Sequence, residues 1–190
     1  VEAATSAKDA TDKTHVIYTA ARAYAESTGK AEGVEGAVDC TASVVNANFA
    51  DKLNGWSSSQ NGGNLQTLSG ESWTTSEGVT GTPYYDYLNG SANNQHAYQN
   101  VSDLQAGKYI VTIKARALAG FNLYMLINEE KKVDINEIGN TGGLFGRGWN
   151  DYTAEFEVGN DGKVKLEVAN MPAQNQAGWF GFGDVRLFKV

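Results

Sequence analysis

The sequence predicts an all-β protein, an antiparallel β-sandwich preceded by a short helical segment. Three observations carry that prediction. From residue 37 onward apolar residues recur with a period of two in short runs, as half-buried strands require. Turn residues separate the runs, with 22 Gly against 2 Pro. No helical period lies between them, which excludes an alternating helix–strand architecture.

The elements follow in chain order. Between residues 14 and 28, Val16, Ile17, Ala20, Ala21 and Tyr24 recur at three- and four-residue spacing. They predict an amphipathic helix of about four turns, with Gly29 placed as its C-cap. Residues 2–13 are alanine-rich and read as a second short helix or a frayed end. GKAEGVEG, residues 29–36, reads as a linker, so residues 1–37 form a helical appendage with its linker and 38–190 form the sandwich. About ten strands are expected beyond it: 43–49, 64–68, 83–88, 96–101, 109–118, 121–127, 131–135, 152–158, 164–168 and 179–190. In the fifth, Tyr109, Val111, Ile113, Ala115 and Ala117 share one face. In TPYYDYL, alternation sends Tyr84 and Asp86 to one face and Tyr85 and Tyr87 to the other, so one pair belongs to the core. Asn160-Asp161-Gly162 reads as a hairpin turn joining 152–158 to 164–168.

Composition then limits function. The chain of 190 residues has 15 Lys and Arg against 22 Asp and Glu, a net charge of -7, the wrong sign for tracking a phosphate backbone. Nucleic acid and anionic membranes are therefore not expected partners. The most apolar window, residues 107–123, is broken by Lys114, Arg116 and Gly120 and falls short of the ~20 residues of a membrane span. A single Cys excludes an internal disulfide. The sequence begins at Val1 without a basic-then-apolar segment, and reads as a mature form or a fragment. Its 17 Asn and 7 Gln offer donors and acceptors without the desolvation cost of ions. They suit a neutral, hydroxyl-rich partner, and equally a loop-rich extracellular β protein.

Catalytic signatures are sparse. His15 and His96 lack metal-ligand spacing, Cys40 stands alone, and no nucleophile elbow or phosphate loop is present. Two alternatives stay open: a Glu71 and Asp86 carboxylate pair meeting in space, and a lyase-like pairing of His96 with Tyr98. Aromatics are the stronger signal, because a ring stacked on a pyranose face with amides on the hydroxyls combines apolar burial with directional contacts. Trp73, Tyr84, Tyr85 and Tyr87 bracket a Gly/Thr/Ser-rich stretch, Asn94 follows in SANNQ, and Gln174 and Asn175 precede Trp179. Arg147 sits in the Gly-rich IGNTGGLFGRGW, a candidate binding loop.

Residues 39–56, DCTASVVNANFADKLNGW, resemble the opening of the galactose-binding-like β-sandwiches, jelly rolls found as accessory carbohydrate-binding modules of secreted bacterial glycan-degrading enzymes and surface proteins. Asp39, Thr41, Asn46, Phe49, Gly55 and Trp56 match its D-x-T, N-P-x-F-E and G-W segments. The resemblance continues through Tyr98, Gln99, Leu104, Gly107 and Tyr109, then through GRGWNDYTAEFEV and GWFGFGDVRLFKV, covering nearly all of residues 38–190. It implies framework roles for Phe49, Trp56 and Trp149, leaving Trp73 and Trp179 as the tryptophans available for sugar. It implies one structural calcium, carried by Asp184 and by Asp51, although the family's Glu after Phe is Ala50 here.

The leading expectation is thus a monomeric, non-catalytic carbohydrate-binding module, extracellular or at the bacterial cell surface. It would hold a neutral polysaccharide near a catalytic partner or neighbouring modules of a larger chain. The alternative is a structural spacer or protein-interaction sandwich without glycan binding.

Overall fold

The computed structural model describes residues 30–31, 34–35, 37–58, 64–67, 83–90, 95–117, 122–135, 149–170 and 178–190. The expected helix at 14–28 lies outside them. Within the expected linker, β1 (Lys30–Ala31) pairs antiparallel with β2 (Val34–Glu35).

The remaining described strands are β3 (Val38–Asp39), β4 (Ser57–Ser58), β5 (Asn64–Thr67), β6 (Pro83–Gly90), β7 (His96–Val101), β8 (Gly107–Ala117), β9 (Leu123–Ile127), β10 (Glu130–Ile135), β11 (Asn150–Val158), β12 (Val164–Asn170) and β13 (Gly178–Lys189). They form two antiparallel sheets. One runs β10-β9-β12-β7-β4; the other runs β11-β8-β13-β6-β5, with β3 added on β13. The inward residues of β8 are the five expected from its alternation, and they meet Leu123, Met125 and Ile127 of β9 and Val164, Leu166 and Val168 of β12 in one core.

Two expectations are corrected. Residues 43–49 are not a strand: a 3-10 turn at Thr41–Ser43 leads into turns in which Asn46 and Phe49 adopt positive φ. The D-x-T segment then acts as a staple. Asp39 Oδ1 accepts the Thr41 N–H at 2.8 Å, and Thr41 Oγ1 accepts the Leu187 N–H at 3.0 Å, tying the first strand of the sandwich to the last. Asn46 holds the following loop, donating to the Lys52 and Asn54 carbonyls and accepting from the Asp51 N–H. Phe49 and Trp56 then pack in the core with ring centroids 5.0 Å apart, as the resemblance implied. Gln99 points inward and grips Val45 through both ends of its amide.

Nor is Asn160-Asp161-Gly162 a hairpin. The turn is tight, with Gly162 at φ 64° and its N–H on the Gly159 carbonyl, but β11 pairs with β8 whereas β12 pairs with β7 and β9. It therefore carries the chain from one sheet to the other. A Cβ on Gly162 would stand 2.6 Å from the Leu104 carbonyl oxygen, so the crossing needs glycine there as much as any hairpin would.

Candidate functional site

Of the residues expected to touch sugar, Trp73, Asn94, Arg147, Gln174 and Asn175 lie outside the described residues. Trp179 falls in β13, its side chain outside the description. The three tyrosines are corrected as exposed platforms. Tyr85 and Tyr87 are buried in the core against Phe180, with Tyr85 also on Phe182. Burial pushes both phenols above their ordinary range.

Tyr84 faces the other way, as alternation required, yet it too is fully buried. The cross-strand register explains its setting: Gly181 of β13 stands between Asp86 of β6 and Arg116 of β8. The Tyr84 ring occupies the space over that glycine, where a Cβ would approach it to 2.8 Å. The Tyr84 hydroxyl accepts from Arg116 Nη2 at 2.9 Å. The guanidinium lies 4.5 Å from the Trp149 ring centroid, and Trp149 meets Tyr84 edge-on at 4.8 Å. Arg116 and Asp86 are 1% and 4% exposed. The resemblance implied a framework role for Trp149, and here the ring is half of an aromatic bracket for a buried guanidinium on the outer face of the six-stranded sheet.

The opposite outer face, on the five-stranded sheet, carries half-buried residues around a buried middle, where Leu126, Ala169 and Glu167 are 4%, 5% and 6% exposed. Its register sets three rows across the strands. His96, Ala169, Tyr124 and Asp134 form the first; Ser57, Tyr98, Glu167, Leu126 and Lys131 the second; and Asn100 opposite Lys165 begins the third, which Asn128 completes. Tyr98 and Tyr124 are half-buried, each offering ring surface. Two strand spacings, across β12, and two residues along the strand separate them, about 12 Å at sheet spacings.

The polar groups between them are joined. Glu167, nearly buried, accepts from His96 Nδ1 at 2.8 Å and from Lys165 Nζ at 2.9 Å, and Lys165 also reaches Glu129 at 3.3 Å. Engaging both carboxylate oxygens is what makes a sheltered charge tolerable. Burial alone would lower the Lys165 ammonium, and the two carboxylates outweigh it, holding the group above the ordinary lysine value. The Lys165 amine lies 4.6 Å from the Tyr98 centroid and the Lys131 amine 3.9 Å from that of Tyr124. His96 meets Tyr98 edge-on at 5.4 Å.

This arrangement stacks and hydrogen-bonds. His96 and Tyr98, the lyase-like pair, do meet on this outer face, whereas Asp86 lies on the other outer face; its expected carboxylate partner, Glu71, lies outside the described residues. Tyr124, Lys165 and Glu167 were not singled out from the sequence. Their outward orientation is legible in LYMLI and KLEVA by alternation, but their meeting with Tyr98 follows from the non-local order β7-β12-β9.

The two carboxylates expected to hold calcium are not brought together. Asp184 borders a small pocket with Asp39, Asn46 and Asn48, and the pocket also contains Arg186, whose guanidinium lies 4.0 Å from Asp39. Asp51 is exposed outside it and accepts from Asn54. Among the described residues no three His, Cys, Asp or Glu side chains gather. A cationic guanidinium beside two carboxylates, one of them already accepting a backbone N–H, does not fit the six to eight oxygens that calcium takes. Among the described residues no helix is long and apolar enough to cross a membrane.

No family model matches the sequence, and no curated protein matches it. Among solved structures, the chain is similar to TmCBM61 in complex with β-1,4-galactotriose, at 16% identity over 77% of this chain and 97% of that one, with a TM-score of 0.55. It is also similar to the enzymatically active domain of tailspike protein 4 of bacteriophage CBA120, at 14% identity over 78% of this chain and 21% of that one, with a TM-score of 0.51. Both likenesses are of fold: the chain shares with each an antiparallel β-sandwich.

Proposed function

We propose that the protein is a non-catalytic carbohydrate-binding module that holds a neutral glycan on the outer face of its five-stranded sheet. The observation that supports this is the pair of half-buried rings, Tyr98 and Tyr124, set on one sheet with Glu167, His96 and Lys165 between them. Two rings about 12 Å apart stack on two sites of one extended saccharide, and the polar row between them meets its hydroxyls. The module works outside the cell or at the bacterial surface, bringing a polysaccharide to a catalytic partner or to neighbouring modules of a longer chain. Contacts from Trp73, Arg147, Gln174, Asn175 and Trp179 would add to the same ligand.

Affinity is expected between about 1 μM and 1 mM, which about -8 to -4 kcal/mol supplies, with avidity gained from linked modules. Isothermal titration against β-1,4-galactotriose and a panel of plant and host glycans tests this. Tyr98→Ala and Tyr124→Ala each weaken the hit about tenfold or more, while Trp73→Ala and Trp179→Ala report on the additional contacts. A folded protein that binds nothing on the panel refutes the proposal. It would favour the structural-spacer alternative, to which the two lysine amines capping the rings lend support.

A further inference from the structure

The third row of the platform opens into a groove of about 640 Å³ at one end of the sandwich. Asn100 and Lys165 belong to both, paired across β7 and β12 and lining the groove. Glu157 at the end of β11 and the 159–163 crossing turn form its far wall. The volume is that of a small-ligand site, and the walls are preformed. Asn128 and Lys165 exchange a pair of hydrogen bonds at 3.0 and 2.8 Å, and the Leu104 N–H donates to the Gly162 carbonyl at 3.1 Å.

Platform and groove differ in what their polar groups do. On the platform Glu167, His96, Lys165 and Glu129 are engaged with one another, and Lys131 with Asp134. In the groove, the side chains of Asn100, Lys163 and Glu157 make no hydrogen bond or ion pair to another side chain among the described residues. They place an amide, an ammonium and a carboxylate around one space. A pyranose carries a donor and acceptor at nearly every carbon, and a set that offers both, without first breaking internal bonds, is what discriminates one sugar from another.

We infer that the groove is the subsite for the terminal residue of the glycan, so that the protein recognises chain ends: the platform stacks the penultimate sugars and the groove selects the last one. The inference rests on the platform's being the glycan site. A ligand running along the strands over Ala169, Glu167 and Lys165 arrives at the crossing turn, which stands at the end of its path.

The test uses β-1,4-galactan first, then any other polysaccharide that the panel identifies, titrated before and after limited cleavage by an endo-acting hydrolase. If ends are recognised, binding sites per unit mass rise in proportion to the ends created. Asn100→Ala combined with Lys163→Ala, two surface changes whose folding is checked by melting, weakens binding about tenfold, the loss of two ordinary hydrogen bonds. Site numbers unchanged by cleavage, or a double variant that binds like the parent while Tyr98→Ala abolishes binding, overturn the groove's role and leave the platform standing. Tyr98→Ala and Tyr124→Ala without effect on a glycan that does bind overturn the platform and this inference together.

Discussion

Replacing Gly181 by Ala tests whether the buried Tyr84–Arg116–Trp149 assembly is held by a single missing side chain. The added Cβ would lie 2.8 and 3.0 Å from two carbons of the Tyr84 ring and 3.2 Å from the Tyr85 carbonyl oxygen. Relief to an ordinary 3.4 Å contact moves the ring by about 0.6 Å (3.4 − 2.8). A gap of that size forfeits a quarter to a half of each dispersion contact. It also stretches the 2.9 Å bond by which the Tyr84 hydroxyl receives Arg116. Overpacking costs about 1–3 kcal/mol, and weakening a hydrogen bond to a buried charge adds part of about 1.5–3 kcal/mol. The alanine recovers about 0.4–1 kcal/mol by restricting the unfolded chain. The net destabilisation is about 1–4 kcal/mol, read as a fall in Tm of about 3–15 °C for a domain of this size. Differential scanning calorimetry measures it. Glycan binding at the opposite face, measured well below the transition, stays at the parent level. A variant that melts with the parent would refute the reasoning, because it would mean that the Tyr84 ring yields without cost.

Three further outcomes follow from the geometry. Burial raises Tyr85 above its ordinary phenol range, so above about pH 10 the unfolded chain releases a proton that the folded chain keeps. Its stabilising contribution is complete below that pH and is lost as pH rises toward the folded value, by at most about 1.4 kcal/mol per pH unit. Denaturant midpoints measured between pH 8 and about 11 should fall along the upper part of the range, and a Tyr85→Phe variant should lose part of that slope. Removing divalent ions with EDTA should leave Tm unchanged, because Asp51 and Asp184 do not share a site; a large drop would restore calcium to the fold. Lys131→Ala uncovers the Tyr124 ring. A ligand then no longer displaces a cation–π contact worth about 0.5–1 kcal/mol at an exposed position, so titration should show about two- to fivefold tighter binding.

Much of the architecture was legible because it is written locally. The alternation in YIVTIKARA assigned faces that the structure keeps, and Tyr85 and Tyr87 turned inward as one of two permitted outcomes. The misreadings share a cause. A tight turn looks the same whether it joins neighbouring strands of one sheet or carries the chain to another, so Asp161-Gly162 announced a turn but not its destination. Val44 and Phe49 looked like strand residues, yet the side-chain bonds of Asp39, Asn46 and Gln99 override their β propensity with a folded loop. For the site, alternation shows that Tyr124 and Glu167 point outward. That they share a surface with Tyr98 depends on three strands scattered over residues 96–170, an order that no local pattern encodes. The pairing of Trp149 with Arg116 escaped for a related reason: Arg116 lies in an apolar strand, where a charge gives no hint of the bracket beside the next strand.

The staple between the first and last strands of the sandwich has a mechanical consequence. Val38 pairs with Lys189 and Asp39 with Phe188 in antiparallel sense, so the chain enters and leaves the sandwich at the same edge. Tension between neighbouring segments on either side would peel this pair open one hydrogen bond at a time instead of shearing many at once. The Thr41 and Cys40 bonds to Leu187 are the next to meet the load. A protein that tethers a polymer through such an edge yields first at the hinge beside the tether, while the sheet bearing Tyr98 and Tyr124, which contains neither β3 nor β13, keeps its grip.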